Sequence, residues 1–349
     1  TGKPKGVLMN HAALETFFQN YHAHFSYREK SVHLVVAPMT HTAGIMGCLH
    51  FPRGGKNVIC KEVAPLAIME DIQHHRVTHL FLPPTVLYMM LAHEQVNEFD
   101  YSSLQHFMVG AAPTSLEKLK EACGVFGPCM TEAYGQTEAP AAITLKAPWD
   151  YMDAEGNIDE GRLAGIGRPA IFNQVKILGG DGQEMPRGEP GEICVKGKLV
   201  TLGYLDNPEA TAESHRDGWL WTGDIGVMAD DGYIRIVDRS KDMIISGGFN
   251  VYPNEVEQVI AENSAVQECA VIGIPDEKWG EAVKAIVLLR PDAEVSADEL
   301  IEAVKARLGS VKSPKSIDFV KELPKSPVGK VLKTELRKPY WLGQERAVN

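Results

Sequence analysis

Six short segments carry residue types suited to holding a polyphosphate, a nucleoside and a divalent cation. Thr1-Gly2-Lys3-Pro4-Lys5-Gly6 places a hydroxyl, two lysines and two glycines in six residues. Backbone N–H groups and point charges of that kind can wrap phosphates. The spacing is not that of a GxxxxGK[ST] loop, and a bare solvated turn explains these residues equally well. In Ala133-Tyr134-Gly135-Gln136-Thr137-Glu138 an aromatic can stack on a purine, a hydroxyl can bond a phosphate and a carboxylate can take Mg²⁺. A polar loop after a strand is the competing reading. Trp221-Thr222-Gly223-Asp224 sets an Asp behind a tight Gly turn, where a carboxylate can accept from vicinal ribose hydroxyls, and a surface turn accounts for it as well.

The other three segments lie in the last third of the chain. Asp238-Arg239-Ser240-Lys241-Asp242 falls where one pattern of secondary structure ends and another begins. Ser246-Gly247-Gly248-Phe249-Asn250 has two glycines that let a backbone approach a ligand closely. Pro324-Lys325-Ser326-Pro327-Val328-Gly329-Lys330 is a basic loop near the C-terminus.

These segments need elements to position them, and the hydrophobic pattern supplies three textures. Over 1–150, helical stretches alternate with apolar runs such as Val32 to Ala37, His79 to Leu82 and His106 to Val109, which predicts α/β units on a mainly parallel sheet. Over 151–237, period-two strands (Gln174 to Leu178, Gly191 to Lys196, Tyr233 to Val237) alternate with Gly-Gly, Asp-Gly, Pro-Gly and Asn-Pro turns. That predicts a β-rich part with the character of a distorted barrel. Over 238–349, Pro253 opens a helix and strands are expected near Gln267 to Ile274 and Ala282 to Leu289. A capping box of Ser296 and Glu299 starts a further helix, with Leu300, Ile301, Val304 and Leu308 on one face and Gly309 as its terminator. This is a small α+β domain.

The bulk properties narrow the function. A chain of 349 residues with a net charge of −11 disfavours a nucleic-acid surface, whose binding is driven by Lys and Arg. The six cysteines are dispersed with no CxxC pair, as expected of reduced thiols in a cytoplasmic protein. The longest apolar stretch, Leu80 to Ala92, holds two prolines and is well short of the ~20 residues a membrane helix needs, so no transmembrane segment is expected.

Two apparent motifs are rejected. Gly165-Ile166-Gly167-Arg168-Pro169-Ala170 fits GxGxx[GA], but Pro169 and the alternating residues after it predict a strand in place of the helix a dinucleotide fold requires. His75 and His79 have metal-ligand spacing without HExxH or a third ligand. The run Leu87 to Leu91 reads as core. The stretch Lys312 to Lys338, with eight basic residues against three acidic, either steers phosphates or is a solvated face.

In this order the six segments resemble the adenylate-forming superfamily, and the resemblance runs from Thr1 to the end of the chain. Thr1 to Gly6 is similar to the back half of that family's phosphate loop, Tyr134 to Glu138 to its YGxTE motif, and Trp221 to Asp224 to its W-x-TGD-like motif. Asp238 falls on its hinge position and Lys330 on the catalytic lysine of its final PKxxxGK segment. The resemblance implies an N-terminally incomplete adenylate-forming fold: a large domain, α/β in 1–150 and β-rich in 151–237, then a mobile α+β domain over 238–349 that turns between two half-reactions. Within the family the tail Tyr340-Trp341-Leu342-Gly343 and the lack of a carrier module most resemble free-standing acyl-CoA ligases, which turn a carboxylic acid into an acyl-AMP and then an acyl-CoA.

Residue by residue, the resemblance assigns Thr1 and Lys5 to the ATP phosphates and His41 to the wall beside the carboxylate. Gly110, Ala111, Ala112, Pro113 and Tyr134 would frame the adenine and acyl pocket. Thr137 would meet the α-phosphate, Glu138 the Mg²⁺, and Asp224 and Arg239 the ribose. Gly247 and Gly248 would line the pantetheine path of CoA, and Lys330 would bridge the carboxylate and the α-phosphate. Catalysis would thus rest on Lys330, His41, Thr137 and Glu138. The apolar surroundings of His41, Gly110 and Ala139-Pro140-Ala141 favour a fatty or aromatic acid over an amino acid. The Ser/Gly/Thr half of the phosphate loop and the family's first segment are missing, so an N-terminal segment ahead of Thr1 is expected, in line or as a second chain. Two further readings compete: an adenylation enzyme that loads a carrier protein, and a non-catalytic fragment or one half of a split synthetase.

Overall fold

The computed structural model describes residues 5–25, 27, 30–40, 42–110, 114–152, 157–325 and 331–342. It divides into two compact units, one of residues 1–222 with 227–236 and one of 223–226 with 237–349.

The first unit is built on a seven-stranded sheet. In chain order its elements are α1 (His11–His24), β1 (Val32–Val35), α2 (Thr42–Cys48), β2 (Lys56–Ile59), α3 (Pro65–His75), β3 (His79–Leu82), α4 (Pro84–Leu91), β4 (His106–Val109), α5 (Leu116–Phe126), β5 (Met130–Gln136), β6 (Ala139–Lys146), α6 (Glu160–Leu163) and β7 (Arg168–Pro169). The strand order is β2-β1-β3-β4-β5-β6-β7. Pairs are parallel as far as β5, then antiparallel through β6 and β7. Helix α1 starts where the Asn10 side chain accepts from the Ala13 N–H, and Pro65 and Pro84 open α3 and α4 where the missing N–H costs nothing.

Alternation along each strand sorts side chains to two covered faces. Leu34, Leu80, Leu82, Phe107 and Val109 pack with Ile68, Ile72, Leu87 and Leu119 from α3, α4 and α5. Val35, Phe81 and Met108 pack with Phe17 and Tyr21 of α1 and Met46 of α2. The rejected Gly-x-Gly segment ends in β7, a strand as expected, and Gly165 O accepts from the fully buried Lys146 ammonium, which also pairs with Glu132 at 2.5 Å.

A row of histidines crosses the α1 face of this sheet. His33, His79 and His106 share the strand parity of Val35, Phe81 and Met108 and are register neighbours, His33 with His79 and His79 with His106. His50 stacks on His33 with ring centres 4.8 Å apart, Tyr27 stacks on His79 at 4.8 Å, and His106 lies 4.9 Å from His79. Burial holds all four in the neutral form: His33 and His106 are pushed down to about 4, His50 to about 3, and His79 well below the ordinary value. His75 ends α3 while His79 opens β3, and no group of His, Cys, Asp or Glu among the described residues is arranged to hold a metal ion.

A five-stranded sheet follows, made of β8 (Gln174–Leu178), β9 (Pro190–Lys196), β10 (His215–Arg216), β11 (Trp219–Met228) and β12 (Ile234–Arg239), with α7 (Pro208–Ser214) before β10. Its order is β10-β11-β9-β8, with β12 on β11. Both β11 and β12 run across the division between the units.

The second unit has a sheet ordered β14-β13-β16-β15 with β17 beside β16. Its elements are β13 (Ile244–Ser246), β14 (Phe249–Val251), α8 (Pro253–Ala261), β15 (Val266–Asp276), β16 (Gly280–Leu289), α9 (Ala297–Lys312), β17 (Ser316–Val320) and α10 (Lys333–Arg337). Val256, Ile260, Leu300 and Val304 of α8 and α9 cover Val271, Val283 and Val287. The capping box forms as expected, Ser296 Oγ accepting from Glu299 N at 3.2 Å and Ser296 N donating to the Glu299 carboxylate at 2.9 Å. Gly309 does break the helix, at φ +83°, but a helical turn resumes beyond it to Lys312. Among the described residues no helix is long and apolar enough to cross a membrane.

Candidate functional site

Gln136 pairs with Ala139, so Thr137 and Glu138 form the two-residue turn of the β5–β6 hairpin. The aromatic-to-carboxylate segment is therefore a hairpin tip, with Tyr134 on β5 and the Thr137 side chain exposed. Gly135 is needed there because an added Cβ would lie 2.5 Å from Ala141 N. Gly110 follows β4 directly, its N–H on Leu82 O, at the carboxyl ends of the parallel strands where α/β sheets bind ligands.

The tip is held by a segment that sequence reasoning passed over. Thr201 donates both its N–H (2.9 Å) and its hydroxyl (3.0 Å) to Glu138 O, and the Tyr204 hydroxyl donates to Glu138 Oε1 at 2.5 Å. On its other side the same segment pairs with the start of the chain. Val7 bridges Tyr204, Leu8 N donates to Gly203 O, and Leu205 N donates to Gly6 O. The Lys5 ammonium sits 4.4 Å from the centre of the Tyr204 ring, within cation–π range. Lys5 and Glu138, separated by most of the first unit's sequence, thus meet around one tyrosine. The available signal was Gly203-Tyr204 ahead of Asn207-Pro208, a Gly turn before a capped helix, but nothing local says which carboxylate the phenol would reach.

In the second unit Asp224 is buried and its Oδ1 lies 3.0 Å from Nε of Arg239, whose side chain is 58% exposed. Ser240 N donates to Gly223 O, so the Gly-Asp turn and the Arg-bearing turn are locked together. The buried carboxylate orients a guanidinium on a largely exposed side chain, a pairing suited to polar hydroxyls or an anion. Asp238 is buried with Oδ1 accepting from Arg239 N and Oδ2 from Asn254 N, both at 2.7 Å, so it caps the start of α8. Burial raises its carboxyl, against the pull of the Lys333 ammonium.

Ser246 pairs with Phe249, which leaves Gly247 and Gly248 as a two-residue turn with φ +59° and +83°, as a type I′ hairpin demands. Gly247 N donates to Trp279 O, and a Cβ on Gly247 would fall 2.6 Å from the Trp279 ring. A Cβ on Gly248 would meet nothing within 4 Å. Trp279 was not singled out in the sequence. Thr1, His41, Ala111, Ala112, Pro113 and Lys330 lie outside the described residues.

The comparisons with known proteins agree along the whole chain. A family model described as AMP-binding enzyme matches residues 1–205, and one described as AMP-binding enzyme C-terminal domain matches residues 255–330. The chain is 40% identical over 355 residues to the medium/long-chain-fatty-acid–CoA ligase FadD8 of Mycobacterium tuberculosis, covering 100% of this chain and 61% of the relative. It is 37% identical to a feruloyl-CoA synthase of an Amycolatopsis species, covering 97% of this chain and 68% of that one. The solved structure of the amide bond synthetase McbA from Marinactinospora thermotolerans superposes with a TM-score of 0.85 at 32% identity, over 97% of this chain and 68% of that one. The chain thus spans about three fifths of the first relative's length.

Proposed function

This chain belongs to the AMP-binding enzymes, and from that premise we propose that the protein carrying it is an ATP-dependent acyl-CoA synthetase for a fatty or aromatic carboxylic acid. The observation that supports this most directly is that Lys5 and Glu138 both contact Tyr204, one cation at the ring and one hard-oxygen ligand at the hydroxyl. The names of the two relatives, a fatty-acid–CoA ligase and a feruloyl-CoA synthase, support the acid class. The partition into 1–150, 151–237 and 238–349 and a cytoplasmic location belong to the same proposal, the latter supported by six free thiols.

In the proposed reaction a carboxylate oxygen attacks the α-phosphorus of ATP, the bond to pyrophosphate breaks, and acyl-AMP remains. The carboxylate is already a nucleophile, so no general base is needed. Negative charge grows on the non-bridging oxygens, where Lys330 and Thr137 would meet it and Lys5 and Thr1 would hold the departing phosphates. His41, Gly110 to Pro113 and Tyr134 would frame the acyl and adenine groups, and Asp224 with Arg239 the ribose. The CoA sulfur then attacks the acyl carbon, its proton passes to solvent and AMP leaves, with Gly247 and Gly248 beside the pantetheine. A single half-buried carboxylate at the hairpin tip fits Mg²⁺, which takes one or two protein carboxylates and fills its sphere with phosphates and water. When bound it would neutralise charge on the β- and γ-oxygens.

The test is a panel of carboxylic acids assayed in the intact protein for AMP release with CoA. Release with no acid of any length would remove the reading, and acyl-AMP consumption by an amine but not by CoA would place the protein with amide-forming members. Glu138→Ala is expected to raise the Mg²⁺ requirement of pyrophosphate exchange by roughly tenfold or more. An unchanged Mg²⁺ dependence would leave Glu138 a structural residue.

A further inference from the structure

Tyr204 is fixed more firmly than a surface loop residue requires. Its backbone N–H donates to Thr211 Oγ1 at 2.9 Å, and that hydroxyl donates in turn to Asn207 O, inside the first turn of α7. Asn207 caps α7, its side chain accepting from Ala210 N at 3.0 Å. Gly203 makes the approach possible: its φ is +118°, and a Cβ there would fall 2.4 Å from Thr211 Cγ2. On the opposite side Val7 pairs with the Tyr204 backbone. The Ser214 side chain at the end of α7 also meets the phenol. The phenol is thus a preorganised donor with its ring face turned to Lys5.

A carboxylate at the tip of a two-residue turn has free χ angles unless something fixes it, and Thr201 fixes only its backbone carbonyl. The phenol occupies Oε1 and so sets the plane in which the rest of the carboxylate is presented. We propose that Tyr204 is a positioning residue of the ATP site, which orients the Glu138 carboxylate toward a phosphate-bound divalent cation and places the Lys5 ammonium on the same polyphosphate. This rests on the reading of Glu138 and Lys5 given above. Partners that orient metal ligands usually change metal affinity or activity 10- to 100-fold when removed.

Three variants of the intact protein, read beside Glu138→Ala, separate the possibilities, with binding of a non-hydrolysable ATP analogue followed by calorimetry across a Mg²⁺ series. Tyr204→Phe keeps the ring under Lys5 and loses only the donor. It is expected to raise the Mg²⁺ concentration for half-maximal binding about tenfold, with the nucleotide-free melting temperature lowered by no more than roughly 4 °C. Tyr204→Leu also removes the ring and is expected to add a loss of analogue affinity that Mg²⁺ does not restore. In Tyr204→Phe combined with Glu138→Ala, the Mg²⁺ shift should equal that of Glu138→Ala alone, because the phenol acts through that carboxylate. Fully additive shifts, or an unchanged Mg²⁺ dependence in Tyr204→Phe while Glu138→Ala is impaired, would overturn the proposal for Tyr204. An unchanged dependence in Glu138→Ala itself would instead show that the assignment of Glu138 has failed, and the proposal with it.

Discussion

Lys330→Ala is expected to cut acyl-AMP formation by roughly 10²-fold or more, the scale on which preorganised electrostatic donors act, while conversion of supplied acyl-AMP and CoA to thioester continues. The role comes from the resemblance of Pro324 to Lys330 to the family's last motif. In that role the ammonium meets charge that exists only as the carboxylate attacks phosphorus. Gly248→Leu should fail in the other half-reaction. Its φ of +83° strains any L side chain, but a Cβ there meets nothing within 4 Å, so the hairpin can retain its pairing and the leucine projects into open space. If the pantetheine passes there, adenylation survives and thioester formation collapses. Gly247 is the worse probe, because an added Cβ would strike Trp279 at 2.6 Å and confuse blockage with misfolding. Pyrophosphate exchange and CoA-dependent consumption of synthetic acyl-AMP follow the two steps separately. Equal losses of both activities in both variants would contradict the division of labour.

The first unit is expected to lose stability steeply between pH 6.5 and about 4. His33, His50, His79 and His106 are neutral when folded and ordinary histidines when unfolded. Below pH 6.5 the unfolded chain takes up protons that the folded chain refuses, so stability is fully present above that value and drains away as pH falls toward 4. A histidine in this window contributes a slope of up to about 1.4 kcal/mol per pH unit. The groups facing the row are His22 and His24 on α1, Tyr27, Arg53 and Asp150; burial outweighs the pull of Asp150 on His24, which lie 4.0 Å apart. Nearby anions therefore do not rescue the charged form. His79→Phe should preserve the stack on Tyr27 and lower the slope by one histidine's share, read from urea melts at pH 7, 6 and 5. A stability independent of pH across that range would show that the row takes up protons in the folded protein as it does in the unfolded chain.

The composition, the period of the apolar pattern and the turn residues were enough to place β3, β4 and β8, the Pro253 start of α8 and the capping box of α9, because those signals are local: a two-residue alternation, a fixed φ, a reciprocal pair three residues apart. The order of the six polar segments was likewise readable, and it is the order of a family that the comparisons then matched. Tertiary structure alone decided what those segments touch. That Thr137-Glu138 is a hairpin turn depended on β6 returning antiparallel to β5, which the mainly parallel pattern before it did not announce. Tyr204 and Trp279 became visible only once chain segments far apart in sequence were folded together, the phenol onto Glu138 and Lys5 and the indole onto Gly247. Asp238 stands where the textures change, and only the fold shows that one carboxylate oxygen accepts from Asn254 N in the first turn of α8 and the other from Arg239 N. The histidine row has the same origin. Each of His33, His50, His79 and His106 is followed in sequence by an apolar residue and reads locally as a single polar position, and only strand register and burial turn the four into one neutral stack, since a sequence records neither which strands are neighbours nor how much water reaches them.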